Sequence, residues 1–98
     1  MVQYCTTNKD AERNRELIED VLSELAALDP GGVEYQVLMF EDQVGFMHVV
    51  AFDGTADPFA DCAAYREFHR ALAERLATPP VVMHGWLIGS YHGRRPPR

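Results

Sequence analysis

Val33-Glu34-Tyr35-Gln36-Val37-Leu38-Met39-Phe40-Glu41-Asp42-Gln43-Val44-Gly45-Phe46-Met47-His48-Val49-Val50-Ala51-Phe52-Asp53 is the stretch on which the fold turns. Two runs rich in β-branched and aromatic residues flank Glu41-Asp42-Gln43, so the stretch reads as a strand, a tight connection completed by Val44 and Gly45, and a second strand. Side chains alternate across a strand. In the second run one face carries Phe46, His48, Val50 and Phe52 and the other carries Met47, Val49 and Ala51. Both faces are apolar, so both need a cover. The first run, Val33 to Glu41, has Val33, Tyr35, Val37 and Met39 on one face and a polar-then-apolar series, Glu34, Gln36, Leu38 and Phe40, on the other, the pattern of an edge strand.

Outward from this hairpin, the segment before it is helical. Leu17, Ile18, Val21, Leu22, Leu25 and Leu28 recur at spacings of three and four, which predicts a helix from Asp10 to Leu28 with Thr7, Asn8 and Asp10 as candidate caps. Asp29-Pro30-Gly31-Gly32 ends it. Glu12, Arg15, Glu16, Glu19 and Glu24 read as its solvated face. Residues 2 to 7 alternate as a short first strand.

After the hairpin, Asp57-Pro58 or Asp61 opens a second helix that runs to Ala77, with Tyr65, His69, Leu72 and Leu76 on one stripe and Cys62 just ahead of it. His69 is expected on the buried face, and Arg70 and Glu74 as a surface pair. Thr78-Pro79-Pro80 stops the helix, and Val81 to Tyr91 reads as a last strand, apolar on both sides, with Gly85 and Gly89 interleaved.

The order is βαββαβ. That predicts an α+β, ferredoxin-like domain over residues 1–92, a four-stranded antiparallel sheet with the first and third strands in the centre and both helices on one face. Residues 93–98, Gly-Arg-Arg-Pro-Pro-Arg, are expected to be a disordered basic tail. No element is left for the far face of the sheet, so a second copy of the chain is its expected cover, a homodimer.

The totals narrow the class. Composition, 47% hydrophobic and 24% charged, is that of an ordinary globular protein. No apolar run approaches the roughly 20 residues a bilayer needs, and the first residues lack a secretory layout, so a cytoplasmic protein without membrane contact is expected. Net charge is −6, and three of the nine basic residues are Arg94, Arg95 and Arg98 in the tail. The acidic body would repel a polyanion, so no nucleic-acid partner is expected. Cys5 and Cys62 stand alone, without metal-ligand or redox spacing, and are expected as free thiols.

Element order, the hairpin, and the segment Phe59-Ala60-Asp61-Cys62-Ala63-Ala64-Tyr65-Arg66-Glu67-Phe68-His69, an aromatic residue opening a helix with a His near its middle, together resemble the antibiotic biosynthesis monooxygenase family of dimeric α/β barrel proteins. The resemblance covers nearly all of residues 1–92. It implies a cleft between the second helix and the sheet in which a phenolic or other aromatic small molecule is oxidised without cofactor or metal, the substrate's own anion reducing oxygen. His69 would then hydrogen-bond or deprotonate the substrate, and Tyr4, Phe46, Phe52, Phe59, Tyr65 and Trp86 would line the pocket. Any single one of these aromatic residues reads more readily as core, and His69 also reads as a packed His bonded to a backbone carbonyl.

Two other readings stand beside it. Some relatives degrade haem with an Asn near strand one, a Trp before the second helix and a His on it; Asn8 and His69 match, but Phe59 stands where the Trp would be. A non-enzymatic dimeric module that binds a small ligand is the other. His48 and His84 are conceivable metal ligands with His69, but strands three and four flank strand one, which is expected to hold the imidazoles apart. No nucleophile motif is present. A cavity beside His69 is the feature expected of an enzyme, and a filled helix-sheet interface that of a module.

Overall fold

The computed structural model describes residues 1–54, 57–91 and 93. Strand β1 (Val2–Cys5) leads through one 3-10 turn (Asn8–Asp10) into helix α1 (Ala11–Leu28); the hairpin is β2 (Val33–Met39) and β3 (Gly45–Phe52); α2 (Ala63–Arg70), a single turn α3 (Leu72–Arg75) and β4 (Val81–Val82) follow. All strand pairs are antiparallel, in the order β2-β3-β1-β4. The architecture is α+β with a four-stranded antiparallel sheet and helices, compatible with the ferredoxin-like arrangement, and β1 and β3 are central as the element order requires. The basic tail, apart from Gly93, lies outside the described residues.

Register explains where the core sits. Val2 and Val37 both lie opposite His48, Tyr4 opposite Phe46, and Tyr35 opposite Val50, so one face of the sheet collects these side chains. The helices cover that face: Leu17, Ile18 and Val21 of α1 and Phe68 of α2 are buried against Tyr4 and Phe46, with Cys62 and Phe59 closing one end. Cys5 and Cys62 are free thiols. The hairpin is held by Asp42, whose Oδ1 accepts the N–H groups of Val44 and Gly45 at 3.0 and 2.8 Å. These two donors hold the Asp42 carboxyl below the ordinary carboxylate range. Asp29, in the left-handed region at φ 49°, ends α1 by donating its N–H to Leu25 O.

Four expectations are corrected. The second helix does not run to Ala77: it breaks at Ala71 (φ −126°, ψ 27°), because Leu76 and Ala77 are drawn onto the edge of β1, where Ala77 N–H donates to Cys5 O at 2.8 Å and Thr6 pairs with Leu76. Tyr65, Leu72 and Leu76 still pack against the core, but the buried residue of α2 is Phe68, off that stripe, and His69 is exposed rather than buried. The last strand does not run to Tyr91: β4 is Val81–Val82, paired with Gln3 and Val2, and its backbone bonding to the first strand ends with the Met83–Met1 hydrogen bonds. Glu24 is not merely solvated: its carboxylate crosses from α1 to accept the N–H groups of Ala63 and Ala64 at 2.6 and 3.1 Å, capping α2. Arg70 pairs with Glu67 rather than Glu74.

From Met83 to Tyr91 the chain forms no helix or strand and is exposed. Trp86 is 95% accessible, Ile88 fully so, and Leu87 and Tyr91 largely so. On the sheet face away from the helices, Leu38 and Val81 are also exposed, with Met47, Val49 and Ala51 half-buried.

Candidate functional site

A cleft of about 220 Å³ opens between the helix-facing side of the sheet and α2. Its walls are mostly apolar, from Val2, Val50, Phe52, Phe68 and Leu72, and its polar groups come from Tyr4, Tyr35, His48, Tyr65, His69 and His84. That volume suits a one- or two-ring molecule and falls below the usual range for drug-sized ligands.

The polar end of the cleft is built on one imidazole. His48 sits mid-strand on β3 with 7% exposure, between Tyr4 on β1 and Tyr35 on β2, because strand register places all three on the same face. Tyr4 Oη lies 2.6 Å from His48 Nε2, and Tyr35 Oη lies 2.7 Å from His48 Nδ1. Behind Tyr4 the chain continues: Asn14 Nδ2 donates to Tyr4 Oη at 3.0 Å, and Arg75 Nε donates to Asn14 Oδ1 at 3.0 Å. Arg75 Nη2 donates to Phe68 O at 2.7 Å, and its guanidinium lies 5.1 Å from the centre of the Phe68 ring. Phe68 O is one of the carbonyls that the end of α2 leaves without a helical partner. Arg75 thus caps α2 and anchors the buried network, and its outer side borders a polar groove with Asp10, Glu67 and Glu74.

Burial sets the electrostatics. Desolvation pushes His48 down to about 4, with His69 adding to the effect, so the imidazole is neutral at pH 7. Desolvation pushes Tyr4 up to about 12 against the opposing hydrogen bond from Asn14 and the charge of Arg75. Tyr35 is raised further by the same cause, and both phenols keep their protons. Partial desolvation against the cleft wall and the charge of Arg75 lower His69 as well, which favours its neutral form. Among the described residues every buried side-chain polar atom has a partner.

Of the residues singled out in the sequence, Tyr4, Phe52, Tyr65 and His69 line the cleft. His69 stands there as an exposed side chain against the Tyr65 ring, 4.5 Å between centroids, rather than as a buried one. Phe46 does not reach the cleft: it is 1% exposed and stacks beneath Tyr4. Phe59 lies behind the wall, stacked on Tyr65 at 4.2 Å and edge-on to Tyr35. Trp86 is elsewhere, after the end of β4, bordering a shallow groove with Glu34 and Ala51.

β1 lies between β3, which carries His48, and β4, as the element order predicts. His48, His69 and His84 share the cleft, since β1 contributes only the small Val2 between His48 and Val82, and α2 hangs His69 over the gap. Even so, no group of three potential ligands among the described residues is disposed to hold a metal ion. Tyr35, Asn14 and Arg75 were not singled out by the sequence. Their signals are polar residues at core positions: Asn14 extends the Leu17, Ile18, Val21 face back by one turn, Arg75 falls three after Leu72, and Tyr35 shares a strand face with Val33 and Val37.

Comparison of the chain with protein-family models, with curated proteins and with solved structures returns no match.

Proposed function

We propose that this protein is a homodimeric, cofactor-independent monooxygenase of the antibiotic biosynthesis type, acting on a small hydroxylated aromatic held in the cleft between α2 and the sheet. The observation that carries the reading is a mostly apolar cleft with a hydrogen-bonded polar end, beside which stands His69, whose neutral form is favoured. Apolar walls take up the ring and exclude water, and the neutral imidazole is suited to draw the phenolic proton.

In the reaction this implies, a hydroxyarene and dioxygen give a quinone and water. The substrate supplies four electrons; one oxygen atom becomes the second carbonyl of the ring, and the other leaves as water with the phenolic hydrogen and the ring hydrogen it displaces. Haem degradation draws no support from the site: about 220 Å³ is small for a porphyrin, Asn8 borders a different hollow, and Phe59 is packed behind Tyr65.

The test is thermal unfolding with a panel of one- and two-ring phenols, with haem included, followed by oxygen uptake with every compound that stabilises the protein. A phenol at a hundredfold its Kd is expected to stabilise by about 2.7 kcal/mol, with oxygen consumed in proportion to quinone formed. Stabilisation without oxygen uptake would make the protein a binding module, and stabilisation by no phenol would remove the reading altogether.

The homodimer is supported by the apolar surface left open: Leu38 and Val81 on the far face of the sheet and Trp86, Leu87, Ile88 and Tyr91 after β4. Trp86 is the chain's single tryptophan, which makes it a reporter. At micromolar concentration its emission is expected to be blue-shifted and the mass by light scattering to be twice that of the chain, with emission moving to the red on dilution. A monomeric mass with solvent-like emission at all concentrations would end the dimer.

A further inference from the structure

We infer that Tyr35 is the donor that meets the ligand: a one-way chain of hydrogen bonds beginning at Arg75 turns the Tyr35 hydroxyl hydrogen toward the cleft, so the cleft selects an aromatic molecule carrying an acceptor oxygen. The inference rests on the aromatic-cleft reading above and adds to it which protein atom receives the ligand and what the ligand must offer.

The direction follows from donor and acceptor counting. Arg has donors only, so the atom of Asn14 facing Arg75 Nε is the carbonyl oxygen, and the amide nitrogen faces Tyr4. Tyr4 Oη therefore accepts from Asn14. Its own hydrogen needs an acceptor in a site where Tyr4 is 3% exposed, and the acceptor within reach is His48 Nε2 at 2.6 Å. A neutral imidazole that accepts at Nε2 carries its proton on Nδ1. Nδ1–H then donates to Tyr35 Oη at 2.7 Å. Tyr35 has received a hydrogen bond and has one left to give, and Tyr35 lines the cleft.

The opposite direction fails at one place. If Tyr35 donated to Nδ1 and Nε2–H donated to Tyr4, the Tyr4 hydrogen would be left buried without an acceptor, which is the costly way to arrange such a network. A carbonyl, or the oxyanion that forms as a phenol loses its proton, completes the chain as built. A donor-only ligand, such as an aromatic ammonium, would set two hydrogens against each other. An oxyanion is also held more strongly than its neutral parent by a fixed donor, so Tyr35 favours the ionised substrate.

The experiment reads the two halves separately. The His48 tautomer is read from 15N shifts in the unliganded wild type, where protonation at Nδ1 is expected, and in Asn14→Asp, whose carboxylate accepts from Tyr4 and so is expected to reverse the chain and move the proton to Nε2. Binding is then measured with 1-tetralone and tetralin, which share a ring frame and differ by one carbonyl oxygen. Tyr35→Phe is expected to weaken tetralone about tenfold and to leave tetralin within about twofold. A wild-type imidazole protonated at Nε2 overturns the inference without any variant having to fold. Equal response of the two probes to Tyr35→Phe overturns the donor role while the aromatic cleft stands. Binding of neither probe overturns the cleft reading and this inference with it.

Discussion

Replacing Arg75 by Met is expected to lower stability by about 3 to 4 kcal/mol, the largest single effect among the polar residues. Met keeps most of the aliphatic stem and its packing, so the loss isolates the guanidinium. Two buried acceptors, Asn14 Oδ1 and Phe68 O, are left without their donor, and each buried group stranded in this way costs about 1 to 3 kcal/mol. The stacking of the cation over Phe68 adds up to about 1 kcal/mol. For a domain of this size the fall in melting temperature is roughly 15 °C or more. Urea titration at pH 7 measures the difference. A loss below about 1 kcal/mol would mean that Arg75 is a solvated side chain and that neither α2 nor Asn14 depends on it. Arg75→Lys should recover only part of the loss, because an ammonium is a compact donor and lacks the planar fork that reaches two acceptors at once.

Acid is expected to act through His48. Its folded-state value of about 4 lies below the ordinary 6.5, so between these two pH values the unfolded chain binds more protons than the folded one. Stability from this group is complete above about pH 6.5, declines as the pH falls toward 4, and does not change below that. The span of pKa corresponds to about 3 kcal/mol. The structural cause is double: the charged form is desolvated, and a second ring proton would take from Tyr4 the acceptor its hydroxyl needs. His48→Gln has nothing to titrate, so the difference between wild type and variant should shrink by about 3 kcal/mol from pH 7 to pH 4, whatever the carboxylates contribute to both. Parallel curves for the two proteins would show that His48 is not held neutral by the fold.

The first expectation concerns residues that the periodicity of the sequence passes over. A helix stripe is recognised by its apolar members, and Asn14 and Arg75 occupy core positions with polar side chains, so pattern reading assigns them to solvent. His48 and Tyr35 were legible as members of a strand face. Which faces meet, however, depends on register, and register across β2, β3 and β1 is a relation between segments up to 46 residues apart, Val2 with His48 among them. His69 was misplaced for a different reason. Tyr65 and His69 both lie within α2, but the residue of α2 that is buried in the core is Phe68, and which side of a short helix faces the sheet is decided by packing rather than by local spacing.

What the chain determines by itself is the set of elements and their order. Period-two alternation around the hairpin, the α1 stripe, and the Asp29-to-Gly32 and Thr78-to-Pro80 breaks are local signals, and from them the central places of β1 and β3 follow, because crossover geometry leaves few alternatives. What only the tertiary structure decides is the site. The Arg75, Asn14, Tyr4, His48 and Tyr35 network draws on five elements, and its direction, its burial and the neutral state of its imidazole exist only once those elements are packed. Backbone periodicity is dictated by neighbours in sequence, whereas hydrogen-bond direction and desolvation are dictated by neighbours in space.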